Sequence, residues 1–80
     1  MALSVPHGYR KVETVRFLLN GEAQEVEGTL SVASMLERFG LQRRRVAVAI
    51  NTAVIPRARF DEVEIQEGDR IEVIQAVGGG

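Results

Sequence analysis

Glu67-Gly68-Asp69-Arg70-Ile71-Glu72-Val73-Ile74-Gln75, continued by Ala76-Val77-Gly78-Gly79-Gly80, is the stretch on which the fold reading turns. Ile71 and Val73 alternate with Arg70, Glu72 and Ile74, the two-residue period of a strand with one face buried and the other in solvent. Glu67-Gly68-Asp69 reads as the turn that opens it. Behind the strand stand Gly78, Gly79 and Gly80 with no polar cap. Glycine lacks a Cβ, so such a stalk passes through slots too narrow for any other residue and takes backbone angles closed to them. It would carry a terminal carboxylate into another protein's active site, with a reach of roughly 10–14 Å for three or four extended residues at ~3.3–3.6 Å each. The alternative is a frayed chain end, where glycine is common.

The preceding residues supply neighbours for that strand. Val15, Phe17 and Leu19 alternate with Thr14, Arg16 and Leu18, a second half-buried strand. Asn20-Gly21 follows, a pair that tolerates positive φ at both central positions of a type I′ turn, so Glu22 to Val26 is expected to return antiparallel and Gly28 to end it. Ser31 is a helix N-cap candidate, since its hydroxyl can accept from an unpaired amide of the first turn. Val32, Met35, Leu36 and Phe39 then make one apolar helical face that Gly40 stops. Core packing is the reading for Met35 and Phe39, ahead of a ligand pocket. Val46, Val48 and Ile50 alternate with Ala47 and Ala49 as a third strand that Asn51 ends. Val54-Ile55 reads as a short return strand that Pro56 keeps from being a central ladder member. Phe60, Val63 and Ile65 are expected to anchor an irregular connection in the core.

Composition narrows the function classes. Eighty residues make one small domain, whose apolar positions must nearly all serve a single core. There is no cysteine, which excludes disulfides, thiolate metal sites and cysteine nucleophiles and fits a reducing compartment. No apolar run approaches the ~20 residues a bilayer requires. Pro6, His7, Gly8, Arg10 and Lys11 interrupt the place of a signal-peptide core, so a cytoplasmic location is expected, with no membrane partner. Ten basic against eleven acidic residues give a net charge of −1, which argues against nucleic acid as a partner. Positive charge is nonetheless concentrated at Arg43-Arg44-Arg45, Arg57 and Arg59. A solvated loop is the favoured reading of that run, with docking to an acidic partner as the alternative.

Strand, strand, helix, strand, short strand, strand, with a single helix to cover one sheet face, specifies an α+β domain of β-grasp type: a mixed four- to five-stranded sheet wrapped on one short helix. The expected organisation is a flexible N-terminal extension over residues 1–13, the β-grasp domain over 14–77 and a flexible glycine tail over 78–80. LNGE (Leu19 to Glu22), VAVAIN (Val46 to Asn51), VIPR (Val54 to Arg57) and above all EGDRIEVIQAVGGG (Glu67 to Gly80) resemble the ThiS family of sulfur carriers in thiamine biosynthesis, within the ubiquitin-like superfamily. The resemblance covers about Thr14 to Gly80; its specific part is the last strand running into glycines. The N-terminal extension departs from the family, whose members usually begin almost at the first strand.

The resemblance implies a carrier that is a substrate of other enzymes. A ThiF-like adenylating enzyme using Mg-ATP would convert the Gly80 carboxylate to an acyl-adenylate, a persulfide sulfur donor would replace AMP to leave a thiocarboxylate, and thiazole synthase would receive the sulfur. A carrier serving molybdopterin or cysteine synthesis is the near alternative, and a passive β-grasp module binding RNA or protein the distant one. The chain itself shows no phosphate-cradling G-x-x-x-x-G-K-[ST] loop, so no cofactor is expected to bind it. Its only histidine, His7, lies in the extension, without a scaffold for a catalytic triad or metal site. No catalytic and no metal-binding residue is assigned, and Glu62 and Glu64 are read as solvated surface. Strand alternation nominates a docking face: with the first and last strands as neighbours, Leu18 and Ile74 are expected to lie together on the face away from the helix, and Ala47 and Ala49 to keep it flat. The free protein is expected to be a monomer.

Overall fold

The computed structural model describes residues 13–75, so the two terminal segments assigned from the sequence lie almost wholly outside the described residues. Five strands, β1 (Thr14–Leu19), β2 (Glu22–Glu27), β3 (Val46–Ile50), β4 (Ala53–Ile55) and β5 (Arg70–Gln75), form one sheet in the order β2-β1-β5-β3-β4. β1 and β5 run parallel, while β1–β2, β3–β4 and β3–β5 are antiparallel. The last strand among the described residues is therefore the central one of the sheet.

Local chemistry accounts for the elements. Asn20 and Gly21 have φ of 51° and 85°, the left-handed pair that a type I′ hairpin requires, and they set the register Leu19↔Glu22 through Thr14↔Glu27. The helix α1 (Val32–Arg38) is only seven residues long and would be marginal alone, so tertiary contacts must hold it. Its unpaired N-terminal amides are all satisfied. Ser34 N–H donates to Ser31 Oγ at 3.0 Å, Val32 and Ala33 N–H donate to the carbonyls of Val63 and Phe60 at 2.9 Å each, and Met35 N–H closes the first turn on Ser31. The segment after β4 thus acts as a backbone cap for the helix. Ile65 N–H donating to Leu30 O at 2.8 Å, beside the isolated bridge Ser31↔Glu64, ties the two together. Gly40, with φ 73°, ends the helix after Phe39.

The core lies between α1 and the inner sheet face. Val32, Met35 and Leu36 of the helix meet Phe17, Leu19, Val26, Val48, Ile71 and Val73 of the strands, with Phe60 and Ile65 closing the end. Every inward position assigned from alternation is buried or, for Val15, half-buried, and among the described residues no buried side chain is polar. Leu30 is also buried, although it belongs to neither a strand nor the helix and no period marks it. The arginine run is not a plain loop: Arg43–Arg45 forms a 3-10 turn leading into β3.

The β3–β4 hairpin carries a strained turn. Asn51 and Thr52 have φ of 50° and 73°. Asparagine tolerates this region, whereas a β-branched residue there is an outlier. Thr52→Gly is expected to raise folding stability by about 0.5–1 kcal/mol, because relief of ~1–3 kcal/mol of backbone strain exceeds glycine's entropic cost of about 0.5–1 kcal/mol. Urea denaturation checks this; a lower midpoint for the variant would show that Thr52 is not strained.

Candidate docking face and the strand that leads to the tail

β5 is held on both flanks, and side chains complete the hydrogen bonding where neighbouring strands run out. On the β1 side, Gly68 N–H donates to Arg16 O at 2.7 Å, Leu18 N–H to Asp69 O at 2.9 Å and Asn20 N–H to Ile71 O at 2.8 Å. β1 then turns away. The Asn20 carboxamide takes over as a surrogate strand residue: Val73 N–H donates to its Oδ1 at 2.8 Å, and its Nδ2 donates to Val73 O at 3.3 Å. At the other end the Glu67 carboxylate accepts from Arg16 N–H at 2.9 Å and from Arg16 Nε at 3.2 Å. The second turn asparagine works from the β3 side, where Asn51 Oδ1 accepts from Arg70 N–H at 2.9 Å and Asn51 N–H donates to Arg70 O at 2.7 Å. Its Nδ2 also donates to Asp69 Oδ1 at 2.9 Å, and Asp69 Oδ2 accepts from Gln66 N–H to close the turn before β5. The strand is thus fixed as far as Gln75, which pairs with Val46. Gly78, Gly79 and Gly80, the residues nominated for threading and modification, lie outside the described residues.

The outer sheet face carries the nominated docking residues, in an arrangement that partly differs from the one expected. β1 and β5 are neighbours, but Leu18 pairs with Arg70, and Ile74 lies four residues further on, about 13 Å away at ~3.3 Å per residue. Leu18 and Ile74 are therefore not brought together, because parallel pairing ends at Leu19 and β5 continues past the hairpin. Ile74 instead faces Ala47 across β3, and Ala49 lies between Glu72 and Val54. Ile74 and Val54 are 68% and 74% exposed, against 37% for Leu18. From the sequence, Val54 is expected only as part of a short strand. The signal for its face was available, since a two-residue turn at Asn51-Thr52 sets Ala49 opposite Val54.

The charges around this face are unevenly used. The Arg43 guanidinium pairs with Asp61 at 3.1 and 3.3 Å and lies 5.7 Å from the Phe60 ring centroid, so it joins the connection to the 3-10 turn. Arg59 pairs with Glu62 at 2.8 Å. Glu64 forms no ion pair among the described residues and is exposed. Among the described residues no group of three or more His, Cys, Asp or Glu side chains is placed to hold a metal ion, and no helix is long and apolar enough to cross a membrane.

A mixed five-stranded sheet in this order, wrapped on one helix with the C-terminal strand at its centre, defines a ubiquitin-like β-grasp domain. The profile of the ThiS family matches residues 17–80. A crystal structure of the thiamine biosynthesis protein ThiS from Geobacter metallireducens superposes with a TM-score of 0.71 at 30% identity, covering 82% of this chain and 100% of that one. The sulfur carrier protein ThiS of Escherichia coli K12 is 29% identical over 66 residues, 82% of this chain and 100% of its own length. The thiazole synthase of Paramagnetospirillum magneticum is also 29% identical over 66 residues, and there the chain spans only 20% of the relative's length. The chain belongs to the ThiS family.

The surrogate role of Asn20 is open to a direct measurement. Asn20→Gly keeps the left-handed backbone and deletes both bonds to Val73, each worth about 0.5–1.5 kcal/mol. Amide exchange at Val73 is expected to accelerate about tenfold or more, beyond any change at Val48. Asn20→Asp retains the acceptor and loses the donor, and should fall between. Unchanged protection at Val73 in Asn20→Gly would show that the carboxamide does not hold the strand.

Proposed function

We propose that this chain is a sulfur carrier of thiamine biosynthesis, loaded at the Gly80 carboxylate. The observation that carries the reading is that the ThiS-family match runs through residues 17–80, taking in both the fixed strand β5 and the triglycine behind it. The location read from the sequence, the cytoplasm, is part of the same proposal.

The chemistry follows from the weakness of a carboxylate as an electrophile. Its charge is delocalised over two oxygens and its oxide is a poor leaving group. A ThiF-like adenylating enzyme binding Mg-ATP removes that difficulty: a Gly80 carboxylate oxygen attacks the α-phosphorus, pyrophosphate leaves, and the resulting acyl-adenylate carries AMP as the leaving group. The terminal sulfur of a persulfide donor then attacks the carbonyl carbon and expels AMP, giving an acyl disulfide. A second thiol cleaves the S–S bond, ends as a disulfide with the donor sulfur, and releases the thiocarboxylate. Catalytic groups and cofactors belong to the partner in each step. The carrier contributes a rigid body, a recognised face and a thin reactive end. With no cysteine in the chain, none of its own side chains competes for the sulfur.

Thiazole synthase as the acceptor is supported by the Paramagnetospirillum magneticum relative, a protein of that name about a fifth of which resembles this chain. Docking through Ile74, Ala47 and Ala49, with Val54 beside them and Leu18 as a separate contact, is supported by the exposure of Ile74, Ala47, Val54 and Leu18 on the outer sheet face, where Ala49 is half-buried between Glu72 and Val54. Exposed apolar side chains grouped on one face mark interaction surfaces more often than scattered ones do.

Incubation with the adenylating enzyme, Mg-ATP and a persulfide donor is expected to shift the intact mass by one sulfur replacing one oxygen. Deleting Gly80 should abolish pyrophosphate exchange without moving the thermal midpoint. Normal exchange with the truncated chain would reject Gly80 as the acceptor. Ile74→Glu, at an exposed position, should change folding stability by no more than about 0.5 kcal/mol and weaken association with the same enzyme. Undiminished affinity of the folded variant would remove Ile74 from the docking face.

A further inference from the structure

Three arginines from two separate segments meet at one end of the outer sheet face. Arg44 and Arg45 come from the 3-10 turn before β3, and Arg57 from a second 3-10 turn, Arg57–Arg59, after β4. Together they border a shallow hollow that includes Ala47 and Ile74. All three are exposed. Among the described residues none has a carboxylate within ion-pair distance; the ion pairs present use Arg16, Arg43 and Arg59 instead. Arg57 donates to a neutral group, the Val46 carbonyl, at 3.4 Å, which orients its guanidinium along the start of β3. The nearest carboxylate along β5 on this face, Glu72, stands opposite Ala49 and forms no ion pair.

We infer that this arginine rim docks an acidic protein surface, one that presents carboxylates around an apolar side chain seated on Ile74 and Ala47. The inference rests on the carrier reading, and it specifies the chemistry of the surface that the adenylating partner offers. Three neighbouring cations without counter-charges repel one another in the free protein, and that repulsion is relieved when carboxylates approach. An apolar centre inside a polar rim is also the usual anatomy of a protein interface, and arginine is enriched there over the rest of the surface. Nucleic acid fits less well: a phosphate backbone has nothing to offer Ile74, which is 68% exposed at the centre, and the chain as a whole is net negative. The position adds a further reason. Gln75, the last described residue, lines the same hollow, so a partner gripping this rim holds the carrier where β5 hands over to the tail.

The test is a titration of the full chain with the ThiF-like adenylating enzyme at low and high salt, for wild type, Arg44→Glu/Arg45→Glu, Arg44→Gln/Arg45→Gln, and Glu27→Arg on the far edge strand β2. Thermal denaturation establishes that each variant is folded. Charge reversal is expected to raise Kd about tenfold or more and the glutamine pair to raise it less, mainly through slower association, and wild-type association should slow as salt rises. Glu27→Arg should bind like wild type. Thiocarboxylate formation at saturating carrier should survive in every variant. Wild-type affinity for the reversed pair, or an equal effect from Glu27→Arg, would overturn the rim while leaving the carrier reading intact, as would retardation of a short RNA by wild type and not by the reversed pair. A wild-type chain that neither binds the enzyme nor gains sulfur would overturn the carrier reading and this proposal with it.

Discussion

Everything in this molecule is arranged around the hydrogen bonding of β5. A strand at the centre of a sheet needs partners on two flanks, and here both flanks, β1 and β3, precede the strand in sequence. β1 provides one by parallel pairing, but only as far as Leu19. The shortfall is made up by side chains: Glu67 at the start and the Asn20 carboxamide at Val73. β3 and Asn51 provide the other flank. Because Ile71 and Val73 point inward from the same strand, this bonding also seals the core against α1.

Both turn asparagines therefore have two functions. Their left-handed backbones reverse the chain, as the Asn-Gly signal of the first hairpin implied, and their side chains reach across to β5. The first function is legible in sequence because positive φ restricts residue choice locally. The second is not, since it depends on which strand arrives beside the turn, 53 residues on for Asn20 and 19 for Asn51. The same division runs through the rest of the fold. Alternation identified the inward residues of β1, β3 and β5, and the spacing of Val32, Met35 and Leu36 identified the helix face, because each pattern is fixed by backbone geometry. Leu30 escaped because it sits between elements, where no period operates.

On the outer sheet face, alternation puts Leu18, Ile74, Ala47 and Ala49 on one side of the sheet, but it contains no register. The end of parallel pairing at Leu19 separates Leu18 from Ile74, and the hairpin register brings in Val54 instead. Charge was less legible still. Arg43, Arg44 and Arg45 are adjacent and identical in the sequence, yet one folds back to Asp61 and the Phe60 ring while the other two stay unpaired among the described residues. Their companion, Arg57, arrives from beyond β4. A run of like residues in one dimension thus became a structural anchor and part of a rim in three.

The Asn20-Gly21 hairpin has one more consequence, for the ageing of the protein. Asparagine followed by glycine is the pairing in which deamidation through a cyclic imide meets least steric hindrance. The imide opens to isoaspartate in larger part and to aspartate in smaller part, and at most surface turns the aspartate is tolerated. Here it would place a carboxylate oxygen where Nδ2 now donates to the Val73 carbonyl, setting two acceptors against each other at the point where β1 gives out. A slow spontaneous reaction in one loop would then loosen the end of a strand in the middle of the sheet, so that old and fresh molecules differ in how firmly the end of β5 is held.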